Sequence, residues 1–280
     1  MKSWLKRLLI ALSVLMLLIC ALCGAYIYQY FRGASLNREL QQLAATVPEV
    51  PPSTPAEPAP PAAPEETPTP EPPAETAPTW PASIDFAALQ AVNEEIYAYL
   101  EIPGTAISYP VVQSAEDDLY YQKRAIDGSY YSGGSIYTQR YNTKTFADPH
   151  TVLYGHNMRS GGMFGLLGNF ADAEFFRNHP IIRIHTAEFV YEYEIFAACL
   201  HNNEHLLANY DFADPDVFAD FFGALQEDST FGGNYTDDAF PAAGDRVLTL
   251  STCHGSSRNL RFLVMAALRE TYTVVEEDAG

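Results

Sequence analysis

Disulfides do not organise this chain: it has 4 cysteines in 280 residues, and two of them, Cys20 and Cys23, lie inside one apolar run. Basic residues are scarce too, 16 against 35 acidic ones, for a formal net charge of −19. That balance disfavours nucleic acid and anionic lipid as partners and suits a cationic or amine-bearing one, besides keeping a domain soluble. Charge of either sign is missing from Leu8 to Phe31, and positive charge is missing from Val47 to Ala82. These absences cut the chain into three zones.

The first zone carries Lys2, Lys6 and Arg7 ahead of the uncharged run, which is strongly apolar to about Tyr28. About twenty such residues at 1.5 Å each span a hydrocarbon core of roughly 30 Å. The run is longer than the apolar part of a signal peptide, and Tyr26, Tyr28, Tyr30 and Phe31 follow as an interfacial belt, so an uncleaved anchor over 8–31 is expected. The basic residues keep 1–7 cytoplasmic, against a weaker opposing pull from Arg32 and Arg38, and the remainder is expected outside the cell. The CxxC of Cys20 and Cys23 has no aqueous partner there and reads as packing or lipid-facing side chains. The second zone, 32–82, reads as a juxtamembrane segment and a disordered spacer. Fourteen of the 20 prolines lie between Val47 and Ala82, a composition that favours extended polyproline geometry. At 3.1 Å per residue such a spacer reaches up to ~100 Å.

The third zone, 83–280, is a single globular domain by size, with 11 basic and 28 acidic residues. Asp85 or Ser83 caps an expected helix from Phe86 to Leu100, with Phe86, Leu89, Val92, Ile96 and Tyr99 at spacings of three and four. Strands are expected over 106–112, where Pro110 suggests an edge, and over 135–137 and 151–154. Short helices are expected over 163–170 and 173–178, then a hairpin from 181–184 and 188–200. Asp214 and Pro215 open an expected amphipathic helix to Leu225. Seven or eight short strands with few helices fit a mainly β fold, a closed or nearly closed mixed barrel with peripheral helices.

The most informative stretch is Val247 to Leu268, two apolar strands joined by a Gly/Ser loop. Side-chain alternation puts Val247, Thr249, Ser251 and Cys253 on one face and Arg261, Leu263 and Met265 on one face of the partner. A thiol beside a guanidinium fits acyl transfer; the plainer reading is a buried Cys near a surface Arg. Cys199, in the apolar run 196–200, reads as core. Of the seven histidines, His254 points away from its neighbour Cys253, and His156 sits in a GHNM turn after a buried strand, where catalytic groups are displayed. The segment His201 to His205 matches the H-x-x-E-H zinc pattern, but that motif needs a helix and here it follows a strand. No metal or cofactor is expected.

The segments TVLYGHNM (151–158) and TLSTC (249–253), with Arg261 opening the next strand, resemble the signature of sortases, membrane-anchored cysteine transpeptidases of Gram-positive bacteria. The opening helix into IPGTAISYPVVQ, the GGSIY and MFGLL segments, and a helix inserted before the Cys253 strand make class B the nearest likeness. Class B often has an acidic residue after the Cys, whereas this chain has His254 and Gly255. The resemblance implies that His156, Cys253 and Arg261 are catalytic and that 83–280 is the catalytic domain. It implies cleavage of an NPxTx-type C-terminal sorting motif after Thr through a thioester, and transfer to an amine of peptidoglycan or a lipid-linked precursor. Alternatives are a pilus-assembling sortase, a hydrolytic cysteine protease, or a tethered module that binds peptides without cutting them.

Overall fold

The structure is a computed structural model that describes residues 3–44, 78–227, 232–255 and 259–275. Its centre is an eight-stranded closed barrel. The strands are β2 (Ile96–Glu101), β3 (Ser108–Val112), β4 (Ile136–Tyr137), β5 (His150–Tyr154), β6 (Ile181–His185), β7 (Phe189–Asn202), β9 (Val247–Cys253) and β10 (Leu260–Val275). The order β10-β9-β5-β4-β3-β2-β6-β7 closes through β7 against β10. The β3–β4 and β5–β9 pairs are parallel and the others antiparallel, so the barrel is mixed. Two short strands, β1 (Thr79–Pro81) and β8 (Gly233–Tyr235), add to β10 and β7. The mainly β barrel expected from the strand pattern is the observed architecture.

Alternation along β9 and β10 sorts their side chains into two cores. Leu248, Leu250, Phe262, Val264 and Ala266 fill the barrel with Leu100, Val111, Leu153 and Ile184. Val247, Leu263, Met265 and Ala267 face outward, where helix α5 (Pro215–Glu227) covers them with Phe218, Phe221 and Phe222. Asp214 opens α5 as expected, accepting from the Asp216 amide at 2.9 Å.

His150 of β5 is enclosed in this second core. Its Nε2 meets Thr249 Oγ1 at 2.7 Å, its Nδ1 has no hydrogen-bond partner, and Phe212 stands edge-on 4.3 Å away. Burial pushes its pKa down to about 3. Below the ordinary value near 6.5 the unfolded chain therefore takes up a proton that the native chain refuses, and stability falls as pH falls, by up to ~1.4 kcal/mol per pH unit from this group. Thermal melts from pH 7 to 5 should show a shallower decline in His150→Gln than in the unaltered chain. An equal slope would remove His150 as a source of acid sensitivity.

Four expectations change. The helix expected over Phe86–Leu100 is α2 (Phe86–Val92) followed by β2. Asp85 caps it as expected, but Asn93 stops it: its side chain donates to Tyr121 Oη and the Ile126 carbonyl, while its Oδ1 accepts from the Glu95 amide. Strand β3 is no edge, since β2 and β4 flank it, and Pro110 is tolerated because the β4 pairing begins only at Val111. The 163–170 segment is an irregular loop with Met163 at φ 53°, ending in a 3-10 turn over Leu167–Ala171; α3 (Ala173–Asn178) is as expected. Finally, the helix of the apolar run, α1 (Ser3–Ala44), continues past residue 31 and buries Leu40 and Ala44 against the domain. Of the expected spacer, 45–77 lies outside the described residues, and Thr79–Pro81 belongs to the fold as a strand parallel to β10.

Candidate active site

Cys253 ends β9 and Arg261 opens β10, and the two are directly paired across the antiparallel ladder. Opposite residues on one face of such a pair come close, and here Arg261 Nη1 lies 3.5 Å from Cys253 Sγ. The same nitrogen donates to its neighbour's carbonyl, Leu260 O, at 3.4 Å. Among the described residues Arg261 has no carboxylate partner, so its charge is directed at the thiol and the cleft.

His156 arrives from β5, which is parallel to β9 and ends beside it. The two strand ends are laced together: the Gly155 amide donates to Ser251 O at 3.2 Å, Thr252 Oγ1 donates to Gly155 O at 2.7 Å, and Asn157 Nδ2 donates to Cys253 O at 2.8 Å. His156 Nε2 lies 2.7 Å from the Gln122 carbonyl. A carbonyl only accepts, so Nε2 carries the hydrogen, and in the neutral ring Nδ1 is the basic nitrogen. Among the described residues Nδ1 has no hydrogen-bond partner. His156, Cys253 and Arg261, each half-buried, all line one cleft with about 890 Å³ of empty space.

Gly155 is needed for closeness, not for an unusual turn. A Cβ there would come within 2.6 Å of Ile136 Cδ1 and 2.7 Å of Phe164 Cδ2. Overpacking at such a point costs about 1–3 kcal/mol. Gly155→Ala should therefore lower the melting temperature and, by shifting the next residue, lower turnover; unchanged values of both would contradict this packing argument.

The cleft wall is aromatic. Tyr137 and Tyr154 stack with centroids 5.6 Å apart, and burial pushes the Tyr137 hydroxyl up to about 12 while the charge of Arg261 pulls it down. Tyr154 is raised for the same reason and opposed by the same Arg261. Both phenols stay neutral at physiological pH and offer donors as well as faces. Gln122, Asn157 and these two tyrosines escaped the sequence reading. Asn157 had a signal, its adjacency to His156; Gln122, acting through its carbonyl, had none.

Of the other candidates, His254 and Cys199 lie outside the cleft, whereas His201 to His205 line it. His254 is exposed and absent from the cleft lining, its amide closing the hairpin onto Leu260 O at 3.1 Å. Cys199 is buried in the α5 core, and burial pushes its thiol up to about 11. The His201–His205 segment is not one helix: β7 ends at Asn202, and His205 caps α4 (Leu206–Asn209) through Nδ1, its Nε2 turned to Gln139 Oε1 at 2.6 Å.

A model of the sortase domain matches residues 100–269. Sortase B of Listeria monocytogenes is 33% identical over 165 residues, 59% of this chain and 65% of that protein, so the match spans just under two thirds of the relative. Sortase B of Staphylococcus aureus is 25% identical over 185 residues, 65% of this chain and 74% of that protein. The crystal structure of sortase B from Bacillus anthracis superposes with a TM-score of 0.65 at 27% identity, covering 87% of this chain and 99% of that one. A Streptococcus pyogenes class B sortase involved in pilus biogenesis gives 0.56 at 28% identity, covering 66% of this chain and 98% of that one. With the sortase domain matched over more than half of this chain and class B members similar to it in both sequence and shape, the chain belongs to the sortase family, in class B.

Proposed function

We propose that the chain is a membrane-anchored cysteine transpeptidase in which Cys253 is the nucleophile, His156 the general acid and base, and Arg261 the oxyanion stabiliser. The observation that carries the reading is the cross-strand approach of Arg261 Nη1 to Cys253 Sγ at 3.5 Å in the cleft that His156 also lines. The thiolate attacks the carbonyl carbon of the Thr in an NPxTx-type sorting motif, and negative charge builds on that oxygen. The guanidinium beside Sγ is the donor that takes it. Collapse breaks the C–N bond as imidazolium delivers its proton to the departing amine, which leaves a thioester on Cys253. An incoming amine then loses a proton to neutral His156 and releases the thiolate.

The acceptor is an amine of the cell wall or of its lipid-linked precursor, and the acidic domain suits a cationic approach. The α1 helix, with its uncharged run after Lys6 and Arg7, serves as a single-pass anchor with the N-terminus cytoplasmic and the domain, from about residue 78 onward, outside. Pilus assembly is a second reading, supported by the similar likeness to the Streptococcus pyogenes enzyme.

The test is a product analysis of the full chain with an NPxTx peptide and competing amines. Transfer of the Thr-ended fragment to the amine should exceed its hydrolysis. Hydrolysis alone would make the chain a protease, and tight binding without cleavage would make it a binding module. Preference for a lysine on a folded protein over a wall-peptide amine would select pilus assembly.

A further inference from the structure

Helix α1 does not stop where its apolar stretch stops. Beyond Phe31 it runs on to Ala44, and these last turns lie on the domain. Leu40 and Ala44 are fully enclosed with Phe86, Leu89, Ile96 and Val112, and Gln41 Nε2 donates to Ser108 O at 2.7 Å. Docking begins at the very edge of the apolar stretch. Arg32 Nη2 meets Asp127 Oδ2 at 2.7 Å, the Tyr30 and Tyr131 rings lie 6.0 Å apart, and Gly33 is flush against Tyr131, where any Cβ would collide with the ring.

At 1.5 Å per residue the uncharged run from Leu8 to Phe31 is ~36 Å long, which fills a hydrocarbon core and brings Arg32 to the headgroup level. Asp127 and Tyr131 must then be at that level too. Their segment, Tyr120–Ser135, also exposes Tyr130, Lys123 and Arg124, residue types that favour the membrane–water boundary. Its inner side holds the active site, through the Gln122 carbonyl on His156. The proline-rich stretch, meanwhile, joins Ala44 to Pro78, and both of those positions belong to the folded unit: Ala44 is buried in it and the Pro78 carbonyl accepts from the Thr273 amide at 2.9 Å.

We infer that the Tyr120–Ser135 face is seated on the phospholipid headgroups, so that α1, and not the proline-rich stretch, sets the height of the cleft. This rests on α1 being the membrane anchor. The cleft is then held at the bilayer surface, and sorting segments and amines must come to it there.

The experiment uses the full chain in phosphatidylcholine vesicles, with Cys20 and Cys23 replaced by Ala, a donor dye on Cys253 and an acceptor dye on the lipid headgroups. Energy transfer should be unchanged when residues 56–67 are deleted. It should fall in Gly33→Leu, and also in Arg32→Glu, a surface change that spares the domain core. A spacer would behave oppositely, since removing twelve extended residues lowers the domain by up to ~37 Å and raises the transfer. Increased transfer in the deletion, or unchanged transfer in both helix variants, overturns the inference while leaving the proposed chemistry intact. Failure of the chain to float with vesicles would instead overturn the anchor reading beneath it.

Discussion

Cys253→Ala should reduce transpeptidation by at least ~10⁴-fold, because among the described residues Cys253 is the only thiol lining the cleft. Cys199 cannot substitute: it is buried behind α5 with its thiol pushed up to about 11, so it is a thiol, not a thiolate, at any working pH. Cys20 and Cys23 lie on the apolar part of α1. Since Cys253 is half-exposed and its sulfur makes a single long polar contact, the melting temperature should hardly change, consistent with the roughly 0.5 kcal/mol typical of such positions. Peptide binding should survive. Steady-state turnover with a sorting peptide checks this, and retention of even a tenth of the activity would remove Cys253 from the nucleophile's role.

Arg261→Ala and Arg261→Lys should each lower kcat by about a hundredfold to a thousandfold, roughly 3–4 kcal/mol, the usual loss when one oxyanion donor is removed. The Lys variant is the sharper test. An ammonium keeps the charge but lacks the planar fork that can reach sulfur and developing oxyanion from one position. Stability should hold in both, because among the described residues Arg261 bonds only to Cys253 Sγ and the Leu260 carbonyl and carries no ion pair. Arg258, the other guanidinium in this hairpin, lies outside the described residues and serves as the control, with Arg258→Ala expected to be nearly silent. Full turnover in Arg261→Lys, or a loss explained by unfolding, would withdraw the role.

The sequence was most legible where a local period coincides with burial. The apolar runs Val247–Leu250 and Phe262–Leu268 announced β9 and β10, and the alternation of strand side chains placed Cys253 and Arg261, which the ladder pairs directly. Asp214, Pro215 and the spaced aromatics announced α5 for the same reason. It was least legible where a tertiary partner overrides the period. Phe86 to Tyr99 fits helical spacing throughout, yet Ile96–Glu101 is a strand because β3 and β6 are there to pair with it. The extension of α1 was hidden differently: 32–44 read as a juxtamembrane segment carrying Arg32, Arg38 and Glu39, while the signal for a docked helix was Leu36, Leu40 and Ala44 at intervals of four. Backbone roles such as the Gln122 carbonyl on His156 leave no trace in residue identity.

The most direct test of the account is the intact mass of the full chain after brief incubation with an NPxTx-type peptide and no added amine. The account predicts a gain equal to the peptide's fragment through Thr, less one water, localised by proteolysis to Cys253, discharged on adding an amine and absent from Cys253→Ala. Cleavage of the peptide with no adduct, or an adduct on Cys199, would contradict it.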